Sequence, residues 1–346
     1  MTSEHHESTA ADAGESVTPI LDVTDLEVSY RINGEWCPVV RSASLTVGPN
    51  EVVGLVGESG SGKSVTAMAC IGMTPHLGGR ITGGEIVFDG SDVTALNEKG
   101  WAQLRGRVVS AIFQQPTRTL NPAFTIGQQI AETARLQLGC SKSEAWDRAV
   151  DVLERVHITR PAERARQYPH EFSGGMCQRV AIAMAMVGEP RLIIADEPTT
   201  ALDPTVQRRV LELLLEVQQQ TGVGILLITH DLGIVAQTCQ RVAVMYAGTV
   251  VERQSVEDIF VRPQHPYTSG LVESIPHRGT VSGRLGTIPG HVVPPDVELP
   301  GCRFEPRCPH ATERCLDGAP PVIPVGIGMT RCVRHAELSL AGVAER

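Results

Sequence analysis

Eight consecutive residues, Gly57-Glu58-Ser59-Gly60-Ser61-Gly62-Lys63-Ser64, have the types and spacing that hold the phosphates of a nucleotide. In such a loop the glycines let backbone N–H groups converge on phosphate oxygens, and the helix that follows adds positive potential. Lys63 neutralises the terminal phosphates and Ser64 ligates Mg2+. Gly57, Ser59, Gly60, Ser61 and Gly62 form the cradle, and the region around Thr66 is given no role. A second segment, Leu192-Ile193-Ile194-Ala195-Asp196-Glu197, ends an apolar run in two carboxylates. Asp196 is placed to hold the metal through water, and Glu197, the next carboxylate outward, to polarise an attacking water. The plainer alternative is a chance glycine-rich turn and an ordinary Asp-Glu loop. It does not account for both segments following apolar runs in one chain.

For this chemistry the loop must leave a strand and enter a helix. Glu51 through Val56 reads as a buried strand, and Lys63 through Met73 as a helix of small and apolar residues. Residues 18–117 alternate short apolar strands with this loop and helix, and 189–262 return to the pattern, so the two stretches are expected to form one α/β lobe. Between them Ile126 to Leu138, Lys142 to Val156 and Met176 to Val187 carry Ala, Leu and Val at helical spacing. They predict a helical subdomain over about 118–188. Met1 to Val17 are polar and acidic, without the basic start and apolar stretch of a signal peptide, and are expected to be a disordered tail in which His5 and His6 are solvated.

The chain has 346 residues, 42% of them hydrophobic, enough for two or three lobes with real cores. Its net charge of −9 argues against a nucleic-acid groove, which needs a basic stripe to displace counterions from phosphates. No apolar run approaches the ~18 to 20 residues of a membrane span. Membrane attachment is therefore expected to run through other proteins.

Phe172-Ser173-Gly174-Gly175-Met176-Cys177-Gln178-Arg179, followed by the helical run Val180 to Val187, resembles the signature of ATP-binding cassette (ABC) ATPases. The family's order is matched further by Gln114 in Ile112-Phe113-Gln114-Gln115-Pro116, by Ala201-Leu202-Asp203, and by His230 in Leu226-Leu227-Ile228-Thr229-His230-Asp231. The resemblance implies a P-loop NTPase fold: a RecA-like core with an antiparallel β part and a helical signature subdomain. It implies that Gln114 reaches the Mg2+ and couples the site to a membrane partner, that Asp203 lies at a dimer seam, and that His230 contacts the γ-phosphate. Tyr30, closing Leu26-Glu27-Val28-Ser29-Tyr30, matches the aromatic that stacks on adenine. Taken singly, Tyr30 reads as a packed strand aromatic, His230 as a capping or core histidine, and Gln114 as nothing. Cys177 stands where peptide-importer cassettes usually carry arginine. The resemblance also implies a head-to-tail dimer, with Ser173, Gly174, Gly175 and Met176 of one cassette closing over ATP held by Lys63 of the other, and hydrolysis releasing the halves.

Beyond residue 262, His265-Pro266-Tyr267-Thr268, Ile288-Pro289-Gly290 and Gly301-Cys302-Arg303-Phe304-Glu305-Pro306-Arg307-Cys308-Pro309 resemble the C-terminal extension of ABC ATPases in dipeptide and oligopeptide importers. The expected organisation is a tail over 1–17, a cassette over 18–262 and an extension over 263–346. Five of the nine cysteines, Cys37, Cys70, Cys140, Cys177 and Cys239, are scattered and read as small apolar side chains. Cys302, Cys308, Cys315 and Cys332 cluster in a proline-rich stretch that buries little apolar surface, where a metal cross-link would supply order. No short Cys-x-x-Cys knuckle for zinc exists there. Four thiolates equally suit a [4Fe–4S] cluster, and similar importer ATPases carry one, so iron–sulfur is favoured with Zn2+ as the alternative. Disulfides are disfavoured for a nucleotide-hydrolysing chain in a reducing compartment.

The function these features imply is an ATPase powering di- and oligopeptide import from the cytoplasmic face of a membrane. Its partners would be a second cassette subunit, two transmembrane permeases and an extracytoplasmic peptide-binding protein. A nickel or other small-solute importer is the runner-up. A cassette serving DNA repair or translation is disfavoured, because the chain has one cassette and no coiled-coil insert, and an exporter half is disfavoured because exporters usually fuse the cassette to membrane helices and lack this extension.

Overall fold

A computed structural model of the chain describes residues 18–115, 119–200, 202–275 and 286–342. The expected N-terminal tail with His5 and His6, and also Pro116 and Ala201, lie outside the described residues. Ten strands form one continuous path: β1 (Leu21–Ile32), β2 (Glu35–Val47), β3 (Val52–Val56), β4 (Gly79–Phe88), β5 (Ser91–Asp92), β6 (Val109–Ile112), β7 (Leu192–Asp196), β8 (Gly224–Thr229), β9 (Arg241–Tyr246) and β10 (Thr249–Ser255). Their order is β5-β4-β1-β2-β10-β9-β3-β8-β7-β6. The run β9-β3-β8-β7-β6 is parallel, whereas β5-β4-β1-β2 is antiparallel. This is the mixed α/β architecture that the motifs predict.

The parallel strands are apolar on both faces because both faces are covered. On β7 and β8, Ile193, Ala195, Ile225 and Leu227 pack into a core with the helices Ile126–Leu138, Lys142–Arg155 and Gly174–Met186. Their neighbours in sequence, Leu192, Ile194, Leu226 and Ile228, enter a second core with the helix Lys63–Cys70 and the antiparallel strands, as the two-residue side-chain period of a strand requires. Capping boxes at Thr125/Gln128 and Ser141/Glu144 fix where the first two of those helices start. The helix after the phosphate loop ends at Cys70, short of the predicted Met73. Gly72 turns there at φ 68°, with the Trp101 ring so close that a Cβ would lie 2.2 Å from it.

Two short strands, β11 (Ile323–Val325) and β12 (Gly328–Thr330), come from the C-terminal segment, and β12 pairs with β10 at Glu252 and Arg253. A third core of Tyr246, Tyr267, Phe304, Ile259 and Val272 binds that segment to the sheet. Arg41 to Glu298 and Arg331 to Asp25 are ion pairs across the same seam. Among the described residues, no helix is long and apolar enough to cross a membrane.

Candidate nucleotide site

The phosphate loop leaves β3 and enters the helix Lys63–Cys70, so its amides sit at a helix N-terminus. Two glycines are required by what surrounds them. A Cβ on Gly57 would lie 2.1 Å from the Met245 carbonyl oxygen on β9, and Gly62 caps the helix at φ 105°. Ser61 is fully buried, and its carbonyl accepts from Gly248 N–H at 2.8 Å. Gly60 turns at φ 79° beside Ser59. Lys63 is buried, its Nζ donating to the loop's own carbonyls on Gly57 at 2.8 Å and Glu58 at 2.9 Å. Burial pulls its pKa down while Glu197, Asp196 and Glu58 oppose that pull. Thr66 donates to the Gly62 carbonyl at 3.1 Å and so belongs to the helix's first turn.

Ser64 Oγ donates to Asp196 Oδ1 at 3.2 Å, which brings two of the three expected magnesium ligands, the third being Gln114, together across 132 residues of sequence. They are hard oxygen donors, as Mg2+ demands. Burial raises the Asp196 pKa, and the Ser64 hydrogen bond opposes the rise.

Glu197, the residue after β7, adopts the left-handed region at φ 46°, a conformation that costs a non-glycine residue about 1–2 kcal/mol. Its N–H still donates to the Ile228 carbonyl at 2.9 Å, so the strand pairing continues while the side chain is redirected. The carboxylate is the meeting point of three segments. Gln114 Nε2 donates to Oε2 at 3.0 Å, Thr200 Oγ1 donates to Oε2 at 2.7 Å, and His230 Nδ1 lies 3.1 Å from Oε1. Burial pushes its pKa up, but the Thr200 and His230 hydrogen bonds together with the nearby Lys63 charge outweigh that and the net shift is downward. Glu197 is thus held as a carboxylate with its lone pairs directed by neutral or cationic donors. Sequence reasoning named Gln114, Glu197 and His230 but missed Thr200. A threonine three residues beyond a base candidate was the available signal.

The signature turn is a helix start. Ser173 caps the helix Gly174–Met186, its Oγ accepting from Met176 N–H at 3.4 Å. A Cβ on Gly175 would lie 2.7 Å from Val206, so the turn packs against the helix Pro204–Thr221. Asp203 caps that second helix by accepting from Thr205 and Val206 N–H, both at 3.1 Å. Cys177 is buried in the helical core with its thiol toward the Pro169 carbonyl, so this signature position faces inward. Tyr30 packs partly buried over Gly79, where a Cβ would lie 2.6 Å from its ring.

Cys302, Cys308, Cys315 and Cys332 are free and line one cavity. Burial first, and then the neighbouring cysteines, pushes Cys302 and Cys308 up to about 11. Thiols of this kind stay protonated until a cation displaces their protons. Among the described residues no group of three or more His, Cys, Asp or Glu side chains is arranged to hold a metal ion. The expectation of an iron–sulfur cluster, or of zinc, therefore meets the right donor chemistry around one cavity but no formed ligand shell.

Comparison with known proteins agrees with this geometry. The ABC transporter family matches residues 40–200, and the oligopeptide/dipeptide transporter C-terminal region matches residues 251–315. The oligopeptide transport ATP-binding protein AppD of Bacillus subtilis is 44% identical over 322 residues, covering 93% of this chain and 98% of its own. A Brucella melitensis protein, provisionally named a peptide import ATP-binding protein, is 44% identical over 334 residues with the same coverage, 93% and 98%. Among solved structures, the dimeric post-hydrolysis state of the ATP-binding cassette MJ0796 bound to ADP and Pi matches with a TM-score of 0.58 at 25% identity, covering 68% of this chain and 98% of that one. The chain belongs to the ABC transporter family, among the ATP-binding proteins that carry the oligopeptide/dipeptide transporter C-terminal region.

Proposed function

We propose that this chain is the ATP-hydrolysing subunit of a di- or oligopeptide importer. The observation that carries the reading is the convergence of Gln114, Thr200 and His230 on the Glu197 carboxylate, next in sequence to the Ser64–Asp196 pair. The loop amides and Lys63 bind the triphosphate. Lys63 must exchange its bonds to Gly57 and Glu58 for phosphate oxygens, so the cation is already desolvated and positioned. Ser64, Gln114 and Asp196 would hold Mg2+, which when bound would offset charge on the phosphates. Glu197 accepts a proton from water as it attacks, while His230, adjacent to it, contacts the γ-phosphate and Gln114 reports the state of the site to the membrane partner. Tyr30 stacks on the adenine.

Peptide as cargo is supported by the names of the relatives in Bacillus subtilis and Brucella melitensis and by the match of residues 251–315. We read the working unit as a head-to-tail pair of cassettes, this chain with a paralogue, with Ser173 to Met176 of one facing nucleotide on the other and Asp203 at the seam. The dimeric state of the MJ0796 cassette supports this. Two permeases and an extracytoplasmic peptide-binding protein complete the assembly, with this chain peripheral on the cytoplasmic face. The cassette is assigned to 18–262, with its helical part over 118–188, and the extension to 263–346. The four clustered cysteines are assigned to a [4Fe–4S] cluster on their donor chemistry, as a structural cross-link.

The test is ATPase activity of the full assembly in reconstituted membranes, with and without peptide-loaded binding protein. Stimulation by peptide, abolished in Lys63→Ala through lost ATP binding, is the expected result. Absence of ATP binding, or co-purification with ribosomes or DNA and no response to peptide, would refute it.

A further inference from the structure

Glu58 is the acidic residue within the phosphate loop, and a carboxylate there opposes the binding of a polyanion by simple Coulomb repulsion. Its own neighbour Lys63 does not pair with that carboxylate, because the ammonium is bonded to the Gly57 and Glu58 carbonyls. The counter-charge comes from far along the chain. Arg307 Nη1 donates to Glu58 Oε2 at 3.1 Å, and the arginine side chain is only 4% exposed. Three more bonds hold that guanidinium in place: Nε to the Pro289 carbonyl at 2.8 Å, Nη2 to the Ile288 carbonyl at 3.2 Å, and Nη1 to the Tyr246 hydroxyl at 3.4 Å. Glu58 Oε1 is buried and has no partner among the described residues, so Arg307 is the cation that compensates this carboxylate.

The same residue is fixed a second time through its backbone. Glu58 N–H donates to the Tyr267 hydroxyl at 2.8 Å. Tyr267 is fully buried in the first turn of the helix Pro266–Glu273, within the aromatic cluster it forms with Tyr246 and Phe304. Its ring therefore has no freedom to follow a moving loop. Both attachments of Glu58 come from residues beyond 262, on the far side of the cassette's sequence from the loop they hold.

We propose that Arg307 and Tyr267 are positioning residues for the phosphate loop, so that the C-terminal extension completes the nucleotide site of its own cassette. Arg307 cancels the Glu58 charge that would repel the phosphates, and Tyr267 pins the loop backbone at the same residue. This rests on the reading of the loop as the ATP site.

The experiment measures ATP affinity of the full-length chain by titration calorimetry, together with KM and kcat for ATP in the reconstituted complex. Arg307→Gln leaves one uncompensated charge beside the triphosphate and is expected to weaken ATP binding about tenfold. KM rises while kcat at saturating ATP changes little, because Ser64, Asp196 and Glu197 are untouched. Adding Glu58→Gln to Arg307→Gln removes the stranded charge and is expected to restore most of the affinity. Tyr267→Phe loses the backbone anchor instead, so it is expected to weaken binding and Glu58→Gln is not expected to rescue it. A merely structural role predicts no such selective rescue. Unchanged affinity in Arg307→Gln, or a double variant no better than Arg307→Gln, overturns the proposal. A wild-type chain that binds no ATP would overturn the nucleotide reading itself, an outcome distinguishable from either.

Discussion

Thr200 offers the sharpest test of how Glu197 is prepared. Its hydroxyl donates to the carboxylate at 2.7 Å, the shortest of the three contacts there. A hydrogen bond to a charged group is worth about 1.5–3 kcal/mol, and 1.36 kcal/mol corresponds to one pKa unit. The Glu197 side chain is 20% exposed, so water partly replaces a lost donor and the low end of that range, about one unit, is appropriate. Thr200→Val keeps the shape and removes the donor, which raises the Glu197 pKa. In the proposed role Glu197 works as a base only while it is a carboxylate, so activity is lost as pH falls through that pKa. Raising the pKa therefore moves the acid limb of the kcat profile to higher pH by about one unit, while activity on the alkaline side of the limb is nearly retained. Hydrolysis measured from about pH 3.5 to 7, a window that spans the ordinary carboxylate range, in wild type, Thr200→Val and Thr200→Ser reads this directly, with the serine variant keeping the wild-type limb. An acid limb that stays put, or moves to lower pH, would refute the argument. A uniform loss of activity at every pH would do the same, because it would place Thr200 in nucleotide binding or folding.

Two further outcomes follow from the same geometry. Glu197→Gln should retain ATP binding and lose about 10²–10⁴-fold in hydrolysis rate, since a positioned base is removed while Lys63 and Ser64 are kept; near-normal turnover in the assembled complex would take the role from this residue. Protein purified without oxygen should be brown with about four irons per chain if Cys302, Cys308, Cys315 and Cys332 hold one cluster. Replacing any one of them should bleach it and open residues 295–335 to protease; stoichiometric zinc, or no metal and no change in proteolysis, would remove the cluster.

Local signals carried the helices and non-local contacts moved their ends. Ile126–Leu138 was legible to the residue because its start is a capping box and its end is Gly139 in the left-handed conformation, both readable within a few positions. The signature helix begins two residues earlier than its apolar periodicity predicts, at Gly174, because the Ser173 cap sets the start and the two glycines after it carry no periodic signal. The helix after the phosphate loop stops early for a reason no window around it contains: the ring of Trp101 packs against the Gly72 turn. The strand reading likewise placed β3 and β7, whose unbroken apolar runs are the mark of burial on both faces.

The site was legible as a set of residue types and illegible as a set of partners. Motif order singled out Gln114, Glu197 and His230, yet nothing in the spacing says that all three meet at one carboxylate, since that depends on β6, β7 and β8 lying side by side. Glu58 is the deeper case. The phosphate-loop motif leaves its position open, so a sequence reading passes over it, but electrostatics does not. A buried carboxylate oxygen in that loop needs a cation, and the loop's lysine is committed to the Gly57 and Glu58 carbonyls. The compensating charge must therefore arrive from another segment, and it arrives 249 residues away, from the 3-10 turn Glu305–Arg307 between Cys302 and Cys308. That placement makes the order of the cysteine-bearing loop and the electrostatics of the ATP site one problem. Whatever holds Cys302 and Cys308 in place also holds the guanidinium between them.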